Sequence, residues 1–264
     1  MDSRHDERGS QIGIGVLVNQ NSSKNKSGLQ PLEYATLWLI PARGGSKGIP
    51  DKNIKPFCVE SLVSRAVKQA LACAAPEDTV FVSTDSERIA NEALKAGVKI
   101  PFLRPDILAS DHASSYSVII HVLEEFKRRD KEFEKVVLLQ PTSPFRTLED
   151  ISGAVERWNP EIDMVVSVNE SKSNPYYNLF ETDKEGFLKI SKGNGKFTRR
   201  QDAPKVWEYN GAVYVMRVAS LLKTPMNEFK KIIPFEMPAS RSIDLDTPRD
   251  WEIAEHLMRS LEDK

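Results

Sequence analysis

Short apolar runs and amphipathic stretches alternate along the chain from residue 37 onward. Residues 37–40 (LWLI) form a compact apolar run that ends at Pro41, and residues 79–83 (TVFVS) are rich in β-branched side chains, so each predicts a buried strand. Between them, apolar residues at 62, 63, 66, 67, 70 and 71 recur at the spacing of one helix face. This part of the chain is therefore expected to fold as strand, helix, strand.

The same alternation continues towards the end of the chain. It predicts further strands at 98–103, 135–140, 164–168 and 211–216, and further helices at 89–96, 118–126, 148–158 and 251–261. The run at 135–140 (KVVLLQ) is almost continuously apolar, which is typical of a central strand covered on both faces. Strands alternating with helices favour an α/β fold, so we expect a mostly parallel, twisted sheet with right-handed crossovers and helices on both faces.

Two segments depart from this pattern. Residues 169–210 carry Asn, Pro, Lys, Gly and aromatic residues with short alternating runs, which predict a β excursion inserted into the sheet as a hairpin. Residues 1–35 are polar, charged and without sustained periodicity, so we expect a disordered leader or a poorly packed arm there. The remainder, 36–264, is interpreted as one α/β domain rather than two independent ones.

Composition narrows the classes of function. The 264 residues are 40% hydrophobic and 28% charged with a net charge of −1, so the chain lacks the positive field on which generic nucleic-acid binding depends. No stretch reaches the roughly 18 consecutive apolar residues of a membrane helix. The two cysteines and four histidines show no metal-ligand spacing. We therefore expect a cytoplasmic protein that binds neither nucleic acid nor membranes.

The most informative segment is the loop after the first predicted strand, 41–53 (PARGGSKGIPDKN). Its three glycines allow close approach of the backbone to a ligand and positive φ, and Arg43, Lys47 and Lys52 place three cations beside them. Such a loop at the carboxyl end of a parallel strand predicts a triphosphate cradle. It is neither a GxxxxGK[ST] loop nor a GxGxxG fingerprint. A flexible solvated turn would explain the glycines but not the clustered cations.

A pair of acids lies near the end of the chain, at Asp244 and Asp246. Two carboxylates at i and i+2 on an extended segment point the same way, so both can reach one Mg²⁺ ion through oxygen ligands. Alternatively, Asp246 caps the helix that Thr247 and Pro248 precede. Taken alone, the pair supports both interpretations equally. Metal binding requires that the acids and the glycine loop face each other across one cleft.

Six blocks of sequence recur in the order of a known family. They are 40–53 (IPARGGSKGIPDKN), 83–85 (STD), 108–115 (LASDHASS), 139–146 (LQPTSPFR), 209–214 (YNGAVY) and 242–247 (SIDLDT). Across about residues 37–260 the chain resembles the acylneuraminate (CMP-sialic acid) cytidylyltransferases. The resemblance implies a nucleotide-diphospho-sugar transferase fold of the GT-A-like kind. Beside the phosphate loop and this order of blocks, the metal interpretation of the acid pair is favoured.

The resemblance also implies an activity. The anomeric hydroxyl of a nonulosonic acid, here expected to be N-acetylneuraminate, attacks the α-phosphate of CTP, which gives the CMP-sugar and pyrophosphate with Mg²⁺ as cofactor. It further implies a homodimer in which the 169–210 excursion crosses to the partner and reaches the acceptor site. Other acceptors remain open: legionaminate, pseudaminate, deaminated neuraminate or an octulosonate. A rival from another class is a non-catalytic nucleotide-binding protein of the same fold.

Each site residue is assigned one role. The catalytic cations are Arg43, Lys47 and Lys52, and the metal ligands are Asp244 and Asp246. Nucleotide-binding residues of the loop are Ala42, Gly44, Gly45 and Ser46, and the resemblance implies Asn53, Arg104 and Ser115 beside them. By resemblance, acceptor-binding residues are Gln140, Arg200, Tyr209 and Asn210. The alternatives are a solvated basic loop for Arg200 and its neighbours, and core packing for Tyr209 and Asn210.

Overall fold

A computed structural model describes residues 35–262 of the chain. All but the last residue of the predicted leader, 1–35, lies outside the described residues. Among the helices that are described, none has both the length and the apolar character needed to cross a bilayer.

The described chain contains ten strands and six α-helices. The strands are β1 (Thr36–Pro41), β2 (Pro56–Phe57), β3 (Glu60–Ser61), β4 (Thr79–Ser83), β5 (Lys135–Leu139), β6 (Met164–Glu170), β7 (Phe180–Thr182), β8 (Leu188–Ile190), β9 (Trp207–Arg217) and β10 (Ile232–Glu236). The helices are α1 (Leu62–Cys73), α2 (Glu87–Lys95), α3 (Ser115–Lys127), α4 (Leu148–Glu156), α5 (Val218–Leu221) and α6 (Pro248–Glu262).

Six strands form one sheet in the order β10-β6-β9-β5-β1-β4. The pairings of β1 with β4, β1 with β5, and β6 with β10 are parallel, whereas β9 runs antiparallel to both β5 and β6. The expected α/β fold with a mostly parallel sheet is therefore confirmed. The carboxyl ends of β1, β4 and β5 lie at one edge, so the loops that follow these strands meet there.

Helices cover both faces of this sheet, as the alternation along β1 requires. Leu37 and Leu39 point into a core with α3, and Trp38 and Ile40 point into a second core with α1, α2 and α4. All four side chains are at most 2% exposed. Burial on both faces explains why β1 is apolar without interruption.

One predicted strand is wrong. Residues 98–103 bury Val98 against the core but pair with no strand of the described chain. The sheet ends at β4 on that side. Pro101 lacks the N–H that a ladder would need, and the first hydrogen bond of the segment runs from Val98 N back to Ala93 O at 3.3 Å in the preceding helix turn. The apolar pattern there reflects packing, not pairing.

The predicted excursion contains the expected hairpin, in which β7 pairs with β8 in antiparallel register. Phe187 and Leu188 on this hairpin are 66% and 69% exposed. The hairpin lies between β6 and β9, whose pairing shifts register between Val166 and Val168. Whether the excursion crosses to a partner stays a prediction.

Candidate active site

A cleft of about 390 Å³ opens at the carboxyl ends of β1 and β5, where their loops meet the segment that precedes α6. Its wall is largely polar and carries charges of both signs. The sequence-predicted residues that line it are Arg43, Ser46, Lys47, Lys52, Asn53, Arg104, Ser115, Gln140, Asp244 and Asp246. The glycine loop and the paired acids therefore share one cleft.

The loop after β1 is fastened from behind by β4 and the turn that follows it. Ala42 N donates to Ser83 O at 3.0 Å, and Gly44 N donates to Asp85 Oδ1 at 2.9 Å. Asn53 is buried, and its Nδ2 donates to Arg43 O at 3.0 Å, which closes the loop on itself. These bonds give the STD block, which begins at the last residue of β4, a structural role: the Ser83 carbonyl and the Asp85 carboxylate hold the loop that carries the cations.

Three predicted nucleotide-binding residues are not among those that line the described cleft. Ala42 is fully buried, Gly44 has its N–H engaged by Asp85, and Gly45 lies away from the wall. The expectation that the loop glycines adopt positive φ is also wrong, since the residue of this loop that does so is Asp51, with a φ of 53°. The glycines therefore serve the loop in another way.

Close approach of two backbones is what one of these glycines permits. An ideal Cβ built on Gly48 would lie 2.3 Å from the carbonyl oxygen of Asp246, whereas one on Gly45 would meet no atom within 4 Å. The Lys52 ammonium reinforces this contact, because its Nζ donates to Leu245 O at 2.6 Å and lies 3.4 Å from Asp246 Oδ1. The loop after β1 and residues 244–246, called the acidic segment below, thus touch at two points.

The acidic pair has the electrostatics of a cation site. Burial raises the pKa of Asp244, and the nearby Asp246 charge raises it further, against the effect of a hydrogen bond with Thr142. A bound cation would relieve both effects. No cluster of three or more acidic, His or Cys ligands occurs among the described residues. The pair therefore fits a Mg²⁺ ion that takes its remaining oxygen ligands from phosphate and water.

The alternative role of Asp246 as a helix cap is wrong. Thr247 caps α6 instead: Asp250 N donates to Thr247 Oγ1 at 3.2 Å, and Thr247 N donates to Asp250 Oδ2 at 2.7 Å. The Asp246 carboxylate instead lines the cleft, next to Lys52.

Arg104 forms the back of the cleft. It is 6% exposed, its Nε donates to Ser83 Oγ at 3.1 Å, and its backbone N donates to Thr84 O at 2.7 Å. Burial lowers the pKa of Arg104 to about 10, so the guanidinium remains charged at neutral pH. A fixed positive charge therefore lies at the back of the cleft.

A carboxylate that the sequence reasoning left without a role also lies in this cleft. Arg43 Nη1 donates to Asp111 Oδ1 at 2.7 Å, and the Lys47 ammonium is paired with the other oxygen of the same carboxylate. Hydrogen bonds from Lys47 and Arg43 lower the pKa of Asp111. Asp111 belongs to the LASD block, one of the six blocks that recur in the family, and this was the sequence signal that could have identified it.

A second cavity of about 370 Å³ adjoins the first, and Gln140 and Asp244 line both. Tyr209 and Asn210 line this cavity, so three of the four predicted acceptor residues meet beside the acid pair. Asn210 is also structural, because its Nδ2 donates to Ser242 Oγ at 2.9 Å and its Oδ1 accepts from Ser167 Oγ at 2.6 Å.

Arg200 is not brought to either cavity within the described chain. Its Nη2 donates to Ser171 O at 3.0 Å at the base of the excursion, and its side chain is largely exposed. As an acceptor contact, Arg200 therefore remains a prediction that depends on how the excursion is used.

A salt bridge fixes the acidic segment from the other side. The guanidinium of Arg241 donates two hydrogen bonds of 2.8 Å to Asp150, which is 3% exposed and also completes the capping box of α4 with Thr147. Leu245 N donates to Thr142 O at 3.0 Å nearby. Sequence reasoning missed this tie because its partners are 91 positions apart and no local pattern links them.

Known proteins resemble this chain over most of its length. Residues 37–256 match the family model described as cytidylyltransferase. A CMP-N,N'-diacetyllegionaminic acid synthase from Legionella pneumophila is 34% identical over 223 residues, 84% of this chain and 95% of that protein. An N-acylneuraminate cytidylyltransferase from Streptococcus agalactiae is 31% identical over 216 residues, 81% of this chain and 51% of that protein.

The same likeness extends to solved structures. A CMP:2-keto-3-deoxy-manno-octonic acid synthetase complexed with CTP has a TM-score of 0.64 and 19% identity, covering 86% of this chain and 99% of that chain. At this level of identity the likeness concerns the fold alone.

Gly48→Ala should separate the loop from the acidic segment, because the new methyl group collides with backbone that cannot rotate away. We expect a loss of about 1–3 kcal/mol in the free energy of unfolding. Denaturant unfolding measures it. Gly45→Ala is the matched control, since its Cβ enters open space and stability should stay unchanged. Equal stability of the two variants would contradict the contact.

Asp150→Asn should lower the free energy of unfolding by about 1–3 kcal/mol at neutral pH, because Arg241 loses a charged partner. Burial raises the pKa of Asp150, but the Arg241 hydrogen bonds and charge outweigh it, so this pKa lies below its ordinary range. A carboxyl group whose pKa is lower in the folded protein stabilises the fold at pH values above its pKa in the unfolded chain, about 4. This stabilisation is lost as the pH falls through the pKa of the same group in the folded protein.

The difference between the wild-type protein and Asp150→Asn should therefore shrink as pH falls from neutral towards 2. Urea unfolding at a series of pH values measures this difference. A difference that is independent of pH would show that the ionised pair contributes nothing.

Proposed function

Because this chain belongs to the cytidylyltransferase family, as the sequence resemblance indicated, we propose that it activates a nonulosonic acid with CTP. A bond forms between the anomeric oxygen of the acid and the α-phosphorus of CTP, and the bond from that phosphorus to the pyrophosphate oxygen breaks. The products are the CMP-sugar and pyrophosphate. The observation that carries the proposal is the meeting of the loop cations and the paired acids in one cleft.

The loop cations suit the phosphate chemistry. Phosphoryl and nucleotidyl transfer depend on in-line positioning and on neutralisation of charge rather than on a covalent nucleophile. Arg43 and Lys47 lie on the open side of the cleft, and Lys52 lies against the acidic segment with a side chain only 13% exposed. In this proposal Lys52 neutralises charge at the reacting phosphate, and Arg43 and Lys47 bind the departing pyrophosphate.

Asp244 and Asp246 would hold Mg²⁺, which when bound supplies charge neutralisation at the phosphates and lowers the pKa of the attacking hydroxyl. The raised pKa of Asp244, which burial and Asp246 cause, supports this role. A Thr142 hydrogen bond orients Asp244, and the Lys52 ammonium orients Asp246.

We place the acceptor in the second cavity, which shares Gln140 with the first. It adjoins the acid pair and is lined by amide, hydroxyl and aromatic groups and by the carboxylates of Glu208 and Asp244, which suit the hydroxyl groups of a polyhydroxylated acceptor. We propose N-acetylneuraminate as the first acceptor to test. The 34% identical relative named for N,N'-diacetyllegionaminic acid favours that acid as the second.

A homodimer is part of the same proposal. The exposed apolar side chains of the excursion, Phe180, Phe187 and Leu188, form a surface whose burial against a second copy would remove apolar area from water. Such a contact would also give Arg200 a route to the partner's acceptor cavity. Sedimentation of the full chain tests the stoichiometry.

The experiment that tests the function is pyrophosphate release with CTP, Mg²⁺ and a panel of eight- and nine-carbon keto acids. We expect release with one or more nine-carbon acids and none with CTP alone. CTP binding without release for any acid would favour the non-catalytic nucleotide-binding protein. Release only with an octulosonate would contradict the nonulosonic acceptor.

Lys52→Ala should lower turnover by on the order of two decades, as losses of single charge-stabilising donors do. Lys55→Ala is the control: it removes the same charge three positions away, but Lys55 is exposed and lies over the ring of Trp251, outside the cleft. Steady-state pyrophosphate release measures both. Full activity of Lys52→Ala would show that the cradle is assigned wrongly.

Asp246→Asn should raise the Mg²⁺ concentration at which activity is half-maximal by about ten-fold or more, since changing even a residue that only supports a metal ligand costs about that much. The change keeps the side-chain volume and leaves the Thr247 cap intact. A titration of activity with Mg²⁺ at saturating CTP measures it. An unchanged titration would remove Asp246 from the metal site.

A further inference from the structure

One carboxylate in the cleft does not fit a role in binding either phosphate or metal. Asp111 lies between Arg43 and Lys47, with one oxygen 2.7 Å from Arg43 Nη1 and the other paired with the Lys47 ammonium. It is remote from the acid pair along the chain, and both of its oxygens face cations. All three side chains line the same cleft.

A carboxylate with two cationic partners presents the same chemistry as a phosphate group. Both anions accept short, charge-assisted hydrogen bonds from guanidinium and ammonium groups, and both compete for the same donors. The hydrogen bonds from Lys47 and Arg43 lower the pKa of Asp111, so its charge persists well below neutral pH. Asp111 is therefore a permanent anion at the phosphate-binding cations.

The fold does not need this ion pair to hold the turn that carries it. The backbone of the turn is closed by its own hydrogen bonds, Ala109 N to Asp106 O at 2.9 Å and Ala113 N to Ser110 O at 3.2 Å, and Arg43 Nη1 reaches its Ala109 O at 3.4 Å without the Asp111 carboxylate. The Asp111 and Lys47 side chains are 36% and 81% exposed, and pairs this exposed contribute little to stability. The position of Asp111 is therefore better explained by an effect on Arg43 and Lys47 than by stabilisation of the turn.

We infer that Asp111 is an internal competitor for polyphosphate, which CTP must displace from Arg43 and Lys47 and which returns when pyrophosphate leaves. The inference rests on the proposed function, because it takes these two cations as the ones that bind phosphate. When only a fraction of the protein has its cations available, the apparent affinity for an anion falls by that fraction. Asp111 thus lowers retention of the product.

The competition has different consequences for different anions. A nucleoside triphosphate would also contact Lys52 and, through its nucleoside, the rest of the cleft. It therefore still binds although Asp111 weakens its contacts with Arg43 and Lys47. Inorganic phosphate and pyrophosphate have fewer contacts to compensate. Asp111 therefore reduces occupation of the cleft by free phosphates while the substrate still binds.

Asp111→Asn tests this inference, because it keeps the size of the side chain and removes its charge. Calorimetric titration with pyrophosphate should show binding that is about three- to ten-fold tighter than in the wild-type protein. Product inhibition by pyrophosphate should strengthen by the same factor. Asp106→Asn is the matched control: it makes the same change in net charge in the same turn, but Asp106 forms no ion pair with the described cleft cations.

Each other outcome contradicts the inference in a recognisable way. Weaker pyrophosphate binding by Asp111→Asn would mean that the carboxylate orients the cations rather than competing for them. Equal tightening in both variants would reduce the effect to general electrostatics. Failure of the wild-type protein to bind CTP or pyrophosphate would overturn the proposed function and the inference together, whereas wild-type binding without tightening in the variant overturns the inference alone.

Discussion

The site depends on keeping a cation-rich loop in contact with an acid-rich segment from the far end of the chain. Two backbones meet at Gly48 and Asp246 more closely than any side chain would permit, and the Lys52 ammonium joins the same two segments. Opposite charges at such short range attract strongly only where water is partly excluded. Loss of the contact would leave the two halves of the chemistry on separate surfaces.

The fold supplies this contact through the direction of its strands. Because β1, β4 and β5 are parallel, their following loops share one edge, and β4 and its following turn hold the loop after β1 through Ser83 and Asp85. The Arg241–Asp150 pair then fixes the acidic segment to the start of α4, which follows β5. The loop after β1 is thus tied to the end of β4, and the acidic segment is tied to the helix that follows β5.

The sequence predicted what local chemistry determines. Apolar periodicity located most strands and helices, and the order of the blocks indicated the family, because both signals reside in neighbouring residues. It failed where the outcome depends on distant partners: residues 98–103 pack without pairing, and the Arg241–Asp150 tie joins positions 91 apart. The loop glycines do not adopt the expected positive φ, and Gly48 instead permits the close approach of the Asp246 backbone.

The balance of charge in the cleft accounts for the opposite effects proposed for its carboxylates. Four cations, Arg43, Lys47, Lys52 and Arg104, line it together with three carboxylates, Asp111, Asp244 and Asp246. Two of the carboxylates lie together, so they would attract a metal ion and with it the phosphates that share it. The third lies between two cations, so it would oppose the same phosphates. In this proposal the position of each carboxylate relative to the loop, and not its chemistry, decides whether it recruits the polyphosphate or helps to release it.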